Sequence, residues 1–109
     1  MNVKKKIVYV AGPYNHGNKG ENIHNVIRVA EQLRKEGYLP FIPHLFHFWN
    51  TISFQEEEYW IAMDLDWLQH CDAFVQLPGI SPGSDYERTI CYSYDVPVYN
   101  SVEELLSDN

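Results

Sequence analysis

Ile7-Val8-Tyr9-Val10-Ala11 is apolar at every position, the pattern of a strand buried on both faces of a parallel sheet. Gly12-Pro13-Tyr14-Asn15-His16-Gly17 breaks it. Ile23, Val26, Ile27, Ala30 and Leu33 then recur at helical spacing, which predicts a helix from Glu21 to Glu36 stopped by Gly37. Tyr38 to Ile42 reads as a second strand, and Pro40 inside it points to a sheet edge. Ser53-Phe54-Gln55-Glu56 has capping-box spacing and predicts a helix running to about Gln69, with Tyr59, Trp60, Met63, Trp67 and Leu68 on its buried side. A third strand follows at 72–77, a loop rich in Pro, Gly and Ser at 77–84, and a helix from Asp85 to Tyr94. Val96 to Tyr99 forms a short fourth strand, and Ser101-Val102-Glu103-Glu104 caps a last helix.

Strands alternating with helices imply right-handed crossovers and a parallel sheet covered on both faces. The expectation is one α/β domain over residues 1–109, an open three-layer sandwich of about four strands in the order 2-1-3-4. Ligands of such sheets sit beyond the carboxyl ends of the strands, where strand order reverses. Two loops leave those ends, 12–20 and 78–85, so the chemistry belongs between them.

Composition narrows the function. Hydrophobic residues make up 45% of the chain and charged residues 21%, as in a folded globule rather than a disordered one. No apolar run is long enough to cross a membrane. Lys4-Lys5-Lys6 precede an apolar run too short for a secretory leader, and Cys71 and Cys91 are too few for a disulfide framework or a zinc site; both readings point to the cytoplasm. Charge is uneven. Residues 1–36 hold seven bases and three acids, a net +4, whereas residues 37–109 hold Arg88 and twelve acids, a net −11. A nucleic-acid partner would need a basic stripe, which the acidic part does not offer.

Four groups of residues carry candidate chemistry. Ser81-Pro82-Gly83-Ser84-Asp85-Tyr86-Glu87 leads into a helix N-terminus, which favours an anion. Glu87 fits two roles there: the last residue of a Ser84–Glu87 capping box, or an ionised nucleophile facing the cleft in the first helical turn. Asp64 and Asp66 cannot share a helix face, so one points to the cleft and the other to solvent, while Asp72 has a local role at the start of its strand. His44 and His47, with Trp49, sit in the aromatic stretch 41–60; no third ligand accompanies them, so they read as core or as the wall of a base pocket rather than as a metal site. Tyr9, with Gly12, Pro13 and Tyr14, lies at the end of the first strand, where a phenol can orient a carboxylate or make a structural bond. No P-loop, no G-x-G-x-x-G and no G-x-S-x-G occurs.

In order along the chain, Tyr9-Val10-Ala11-Gly12-Pro13-Tyr14, Asp64-Leu65-Asp66-Trp67-Leu68, Cys71-Asp72-Ala73 and Ser81-Pro82-Gly83-Ser84-Asp85-Tyr86-Glu87 resemble the nucleoside 2-deoxyribosyltransferase family, which includes the deoxynucleoside monophosphate N-glycosidases. The resemblance covers about residues 7–100, and Pro43 to Trp49 resembles a P-H-x-x-H-F-W stretch of the small members of that superfamily. It implies a flavodoxin-like fold and cleavage of the N-glycosidic bond of a nucleoside or its monophosphate, by hydrolysis or by 2-deoxyribosyl transfer. It places the nucleophile on Glu87, the acid that helps the base leave on Asp64, the tyrosine that orients the nucleophile on Tyr9, and a serine contacting the sugar or phosphate region on Ser81. Gly12, Pro13, Tyr14, His44, His47, Trp49, Gly83, Ser84 and Asp85 complete the expected substrate site. No metal or cofactor is expected, and the resemblance implies a homo-oligomer. The nucleotide hydrolases carry a serine and an arginine in the first loop where this chain has Pro13 and Asn15, a departure at the phosphate position. Two other readings stay open: a nucleotide-binding module that does not turn its ligand over, and a flavodoxin-like electron carrier, against which the lack of a Ser/Thr-rich first loop argues.

Overall fold

The structure is a computed structural model and describes residues 4–108. Its elements are β1 (Ile7–Ala11), α1 (Lys19–Lys35), β2 (Leu39–Phe41), a 3₁₀ turn at Pro43–Leu45, α2 (Phe46–Ile52), α3 (Glu57–Leu68), β3 (Ala73–Gln76), α4 (Pro82–Ser93), β4 (Val98–Tyr99) and α5 (Val102–Ser107). The four strands form one parallel sheet in the order β2-β1-β3-β4. This is the flavodoxin-like arrangement, with the reversal of strand order between β1 and β3.

Alternation along β1 builds both layers. Val8 and Val10 pack with Val26 and Leu33 of α1 and Val102 and Leu105 of α5. Tyr9 and Ala11 point the other way, into a cluster with Phe74, Leu68 of α3 and Cys91 of α4. Both faces of β1 are therefore dry, which its continuous apolar pattern demands. Pro40 lies in β2, which pairs only with β1, so its missing N–H faces an edge.

Several element ends differ from the sequence pattern, each for a local reason. Helix α1 begins at Lys19 because Asn18 caps it, its Oδ1 accepting the Glu21 N–H at 2.9 Å. The aromatic segment after β2 forms the 3₁₀ turn and α2, which leaves Ser53 to end α2 rather than to cap α3. The N-cap of α3 is Glu56, which makes no side-chain cap bond. Tyr59 and Trp67 are exposed, although Trp67 stacks on Phe41 with centroids 4.8 Å apart. Strand β4 starts at Val98, while Val96 packs into the core.

The start of α4 matters most. Ser81 is its N-cap, with Oγ accepting the Ser84 N–H at 3.2 Å and Pro82 in the first turn. The helix thus begins three residues earlier than the pattern suggests. The Ser84–Glu87 capping box does not form, and Glu87 sits in the second turn, free of any capping duty.

Candidate active site

The loops after β1 and β3 are tied to each other at the carboxyl end of the sheet. The Gly12 carbonyl accepts hydrogen bonds from Ser81 Oγ at 3.3 Å and Ser84 Oγ at 3.2 Å. Both serines are buried. Gly79 lies against Pro13, with φ at +117°, and a Cβ there would stand 2.7 Å from the proline Cγ. Both conformation and space demand glycine. Gly79→Ala is therefore expected to destabilise the fold by about 1–3 kcal/mol in urea melts, with the slope unchanged.

Between these loops and α2–α3 lies a cleft of about 630 Å³. Glu87 and Asp64 line it from opposite elements, α4 and α3. Beneath them Tyr9 is fully buried, and its phenol donates to Glu87 Oε2 at 2.5 Å. The contact fixes one rotamer of the glutamate and leaves its other oxygen for the cleft. Burial pushes Glu87 up to about 7, with the Tyr9 hydrogen bond pulling the other way. Burial, and then the charge of Glu87, pushes Asp64 up to about 8. Its Oδ1 is buried and lacks a hydrogen-bond partner. Tyr9 is itself held well above its ordinary range, by burial first and then by the charges of Glu87 and Asp64. Between pH 7 and 8 the arrangement thus favours an ionised Glu87 beside a protonated Asp64.

The histidines form the opposite wall. His44 is buried, and its Nε2 bonds the Pro13 carbonyl at 3.0 Å, so that nitrogen carries the proton and Nδ1 keeps its lone pair. Burial lowers its pKa, which keeps the ring neutral. Tyr14 stands edge-on to His44 and bonds through its hydroxyl to His47 Nδ1. Asn22 Nδ2 donates to the Tyr14 and His16 carbonyls at 3.0 and 2.8 Å, which ties the first loop to α1.

Of the residues singled out in the sequence, the cleft brings together Asp64, Glu87, Gly12, Tyr14, His44, His47, Ser81, Gly83 and Ser84, with Tyr9 supporting from below. It does not include Pro13, Trp49 or Asp85. Pro13 contributes its carbonyl to His44, Trp49 packs its ring against Phe46 and Trp60, and the Asp85 carboxylate accepts from Gln76 Nε2 at 2.9 Å. Asp66 is exposed, and Asp72 accepts the Ile7 N–H at 2.7 Å. Pattern reasoning missed Asn50. Its Oδ1 accepts both the Gln55 N–H and the Trp60 indole N–H, at 2.9 and 2.7 Å, so its amide N–H groups are left for the cleft it lines. It also missed Tyr86 as a lining residue, whereas Phe46, Phe54 and Trp60 of the aromatic stretch 41–60 do line the cleft. Among the described residues no three His, Cys, Asp or Glu side chains cluster as metal ligands do.

A family model described as a domain of unknown function, DUF7768, matches residues 6–101. The chain belongs to this family. No curated protein matches it. Two solved structures share the fold of this DUF7768 chain. A 2-deoxyribosyltransferase from Bacillus psychrosaccharolyticus superposes with a TM-score of 0.66 at 22% identity, over 84% of this chain and 69% of that one. A 2-deoxyribosyltransferase from Leishmania mexicana superposes with a TM-score of 0.63 at 21% identity, over 85% of this chain and 61% of that one. The DUF7768 chain therefore spans about three fifths of the Leishmania enzyme, and at these identities the likeness is one of fold. No described helix is long and apolar enough to cross a membrane.

Proposed function

We propose that this protein cleaves the N-glycosidic bond of a nucleoside or nucleoside monophosphate through a carboxylate nucleophile. The observation that carries the proposal is the pair itself: Glu87, aimed by Tyr9, and Asp64, with the higher pKa, in one cleft beyond the carboxyl ends of the strands. The shared fold of two 2-deoxyribosyltransferases supports the same chemistry.

In the first step a Glu87 carboxylate oxygen attacks the anomeric carbon. The carbon–nitrogen bond breaks with its electron pair going to the base, and the Asp64 proton passes to a base nitrogen. Positive charge developing on the sugar is stabilised by the adjacent carboxylate. In the second step water or another base attacks the anomeric carbon, Asp64 takes up the acceptor's proton, and Glu87 leaves as carboxylate. The Phe46 and Trp60 rings, stacked with centroids 5.5 Å apart, and the free Asn50 amide supply an apolar wall and a donor for the base. Self-association belongs to the same proposal: Phe48, Trp49, Ile52 and Phe54 are all exposed along α2 and the segment after it.

The test is chromatographic detection of free base from ribo- and deoxyribonucleosides and their monophosphates, with and without a second base. Release from at least one of them supports the proposal. No release from any, with a ligand that only raises the melting temperature, makes the protein a binding module. Tyr9→Phe is a finer probe. Its hydroxyl lowers the Glu87 pKa, so removing it should move the acid limb of the pH–rate profile upward and lower kcat by about tenfold. An unmoved limb would separate Tyr9 from the chemistry.

A further inference from the structure

Asp64 and Glu87 are only half of the acid around the cleft. Glu56, the N-cap of α3, and Glu57, its first residue, also line it, and both are exposed. No Lys or Arg is among the lining residues. Lys19 holds its ammonium 5.4 Å from the centroid of the Tyr14 ring without joining that wall.

A helix N-terminus normally offers an anion free N–H groups. Helix α4 opens into the cleft with Pro82, Gly83 and Ser84 in the wall, yet all but one of its first donors are absent or used. Pro82 has no N–H. The Ser84 N–H goes to Ser81 Oγ at 3.2 Å, and the Asp85 N–H to the Ser81 carbonyl at 3.0 Å. The Ser81 and Ser84 hydroxyls donate to the Gly12 carbonyl. Of the first four positions of α4, only Gly83 keeps a free N–H. Residues 12–18 of the first loop hold no Lys or Arg, and Lys19, which follows them, sits on the Tyr14 ring outside the cleft wall. A 5′-phosphate carries about 1.5–2 negative charges at neutral pH. In this cleft it would meet carboxylates with no Lys or Arg in the wall to offset them, and like charges brought together oppose binding.

We propose that Glu56 and Glu57 make the cleft selective for an uncharged nucleoside by excluding its 5′-phosphorylated form. The inference rests on the nucleoside reading above and chooses between the two substrate classes which that reading leaves together. Glu56 and Glu57 act by repulsion, as specificity-determining residues rather than as catalysts.

The test is calorimetric binding of carbocyclic deoxynucleoside analogues and their 5′-monophosphates, which resist cleavage because they lack the ring oxygen. At low salt the wild-type protein should bind a nucleoside analogue at least about tenfold more tightly than its monophosphate. The gap should narrow at least about threefold in the Glu56→Gln/Glu57→Gln variant, and narrow likewise in the wild type at about 0.5 M NaCl. Equal or tighter binding of the monophosphate, a gap unmoved by the substitutions whatever salt does to it, or no binding of either analogue would overturn the proposal. Base release from the natural nucleosides is scored separately. Selective binding without release would remove the chemistry and leave the charge selection standing.

Discussion

Replacing Glu87 by glutamine is expected to lower kcat/KM for base release by at least about 10³-fold. The amide has the shape of the acid, and its oxygen still accepts the Tyr9 hydroxyl that now bonds Glu87 Oε2 at 2.5 Å. The variant therefore keeps the fold and loses only the nucleophile. The side chain makes no cap bond and no ion pair with Lys or Arg among the described residues, so little structural role competes with the catalytic one. A second effect follows from the coupling of the two acids. The charge of Glu87 is one cause of the raised Asp64 pKa, so Asp64 should titrate below about 8 in Glu87→Gln. Carboxyl resonances followed by NMR would register that fall. A variant retaining wild-type base release would remove Glu87 from the mechanism.

Asp64→Asn should show opposite effects on activity and stability. Asparagine cannot give a proton to the leaving base, so the rate should fall by about 10²–10⁴-fold and the alkaline limb near pH 8 should disappear. The stability effect follows from linkage. In the unfolded chain Asp64 titrates near 3.8, and in the folded protein near 8. Between those values the folded state holds a proton that the unfolded state has lost, so stability falls as pH rises through the window. An asparagine does not titrate and escapes that loss. Asp64→Asn should therefore melt higher than wild type at pH 8, by about 4 °C or more, with the difference shrinking toward pH 5. Thermal melts at the two pH values, read beside the rate assay, check both halves. A variant that loses activity and also melts lower at pH 8 would show that Asp64 holds the fold rather than a catalytic proton.

The sheet was legible in the sequence because each strand states its burial. The unbroken apolar run 7–11 marks the central strand, and Pro40 marks the edge. What the pattern misjudged were the helix starts, where several polar residues compete for one cap. Three Ser-x-x-Glu segments look alike, at 53–56, 84–87 and 101–104, but only Ser101 caps its helix as the spacing suggests. Ser81 outcompetes Ser84 because Pro82 fits the first helical turn. That shift of three residues moves Glu87 from a cap to the cleft, a difference that the local sequence alone does not resolve. Helix α2 was invisible because it buries no residue and so shows no apolar period, with Phe46 half-buried and Phe48 and Trp49 exposed. Asn50 had no signal at all. Its role comes from two bonds, to Gln55 and Trp60, that fix which end of its amide faces the cleft.

The central claim is that Glu87 attacks the anomeric carbon. Rapid mixing with a nucleoside that is turned over, followed by acid quench and peptide mass mapping, tests it most directly. The prediction is a burst of free base near one equivalent of enzyme, with the sugar attached to the peptide that carries Glu87. Base release with no adduct, and at an undiminished rate in Glu87→Gln, would contradict it.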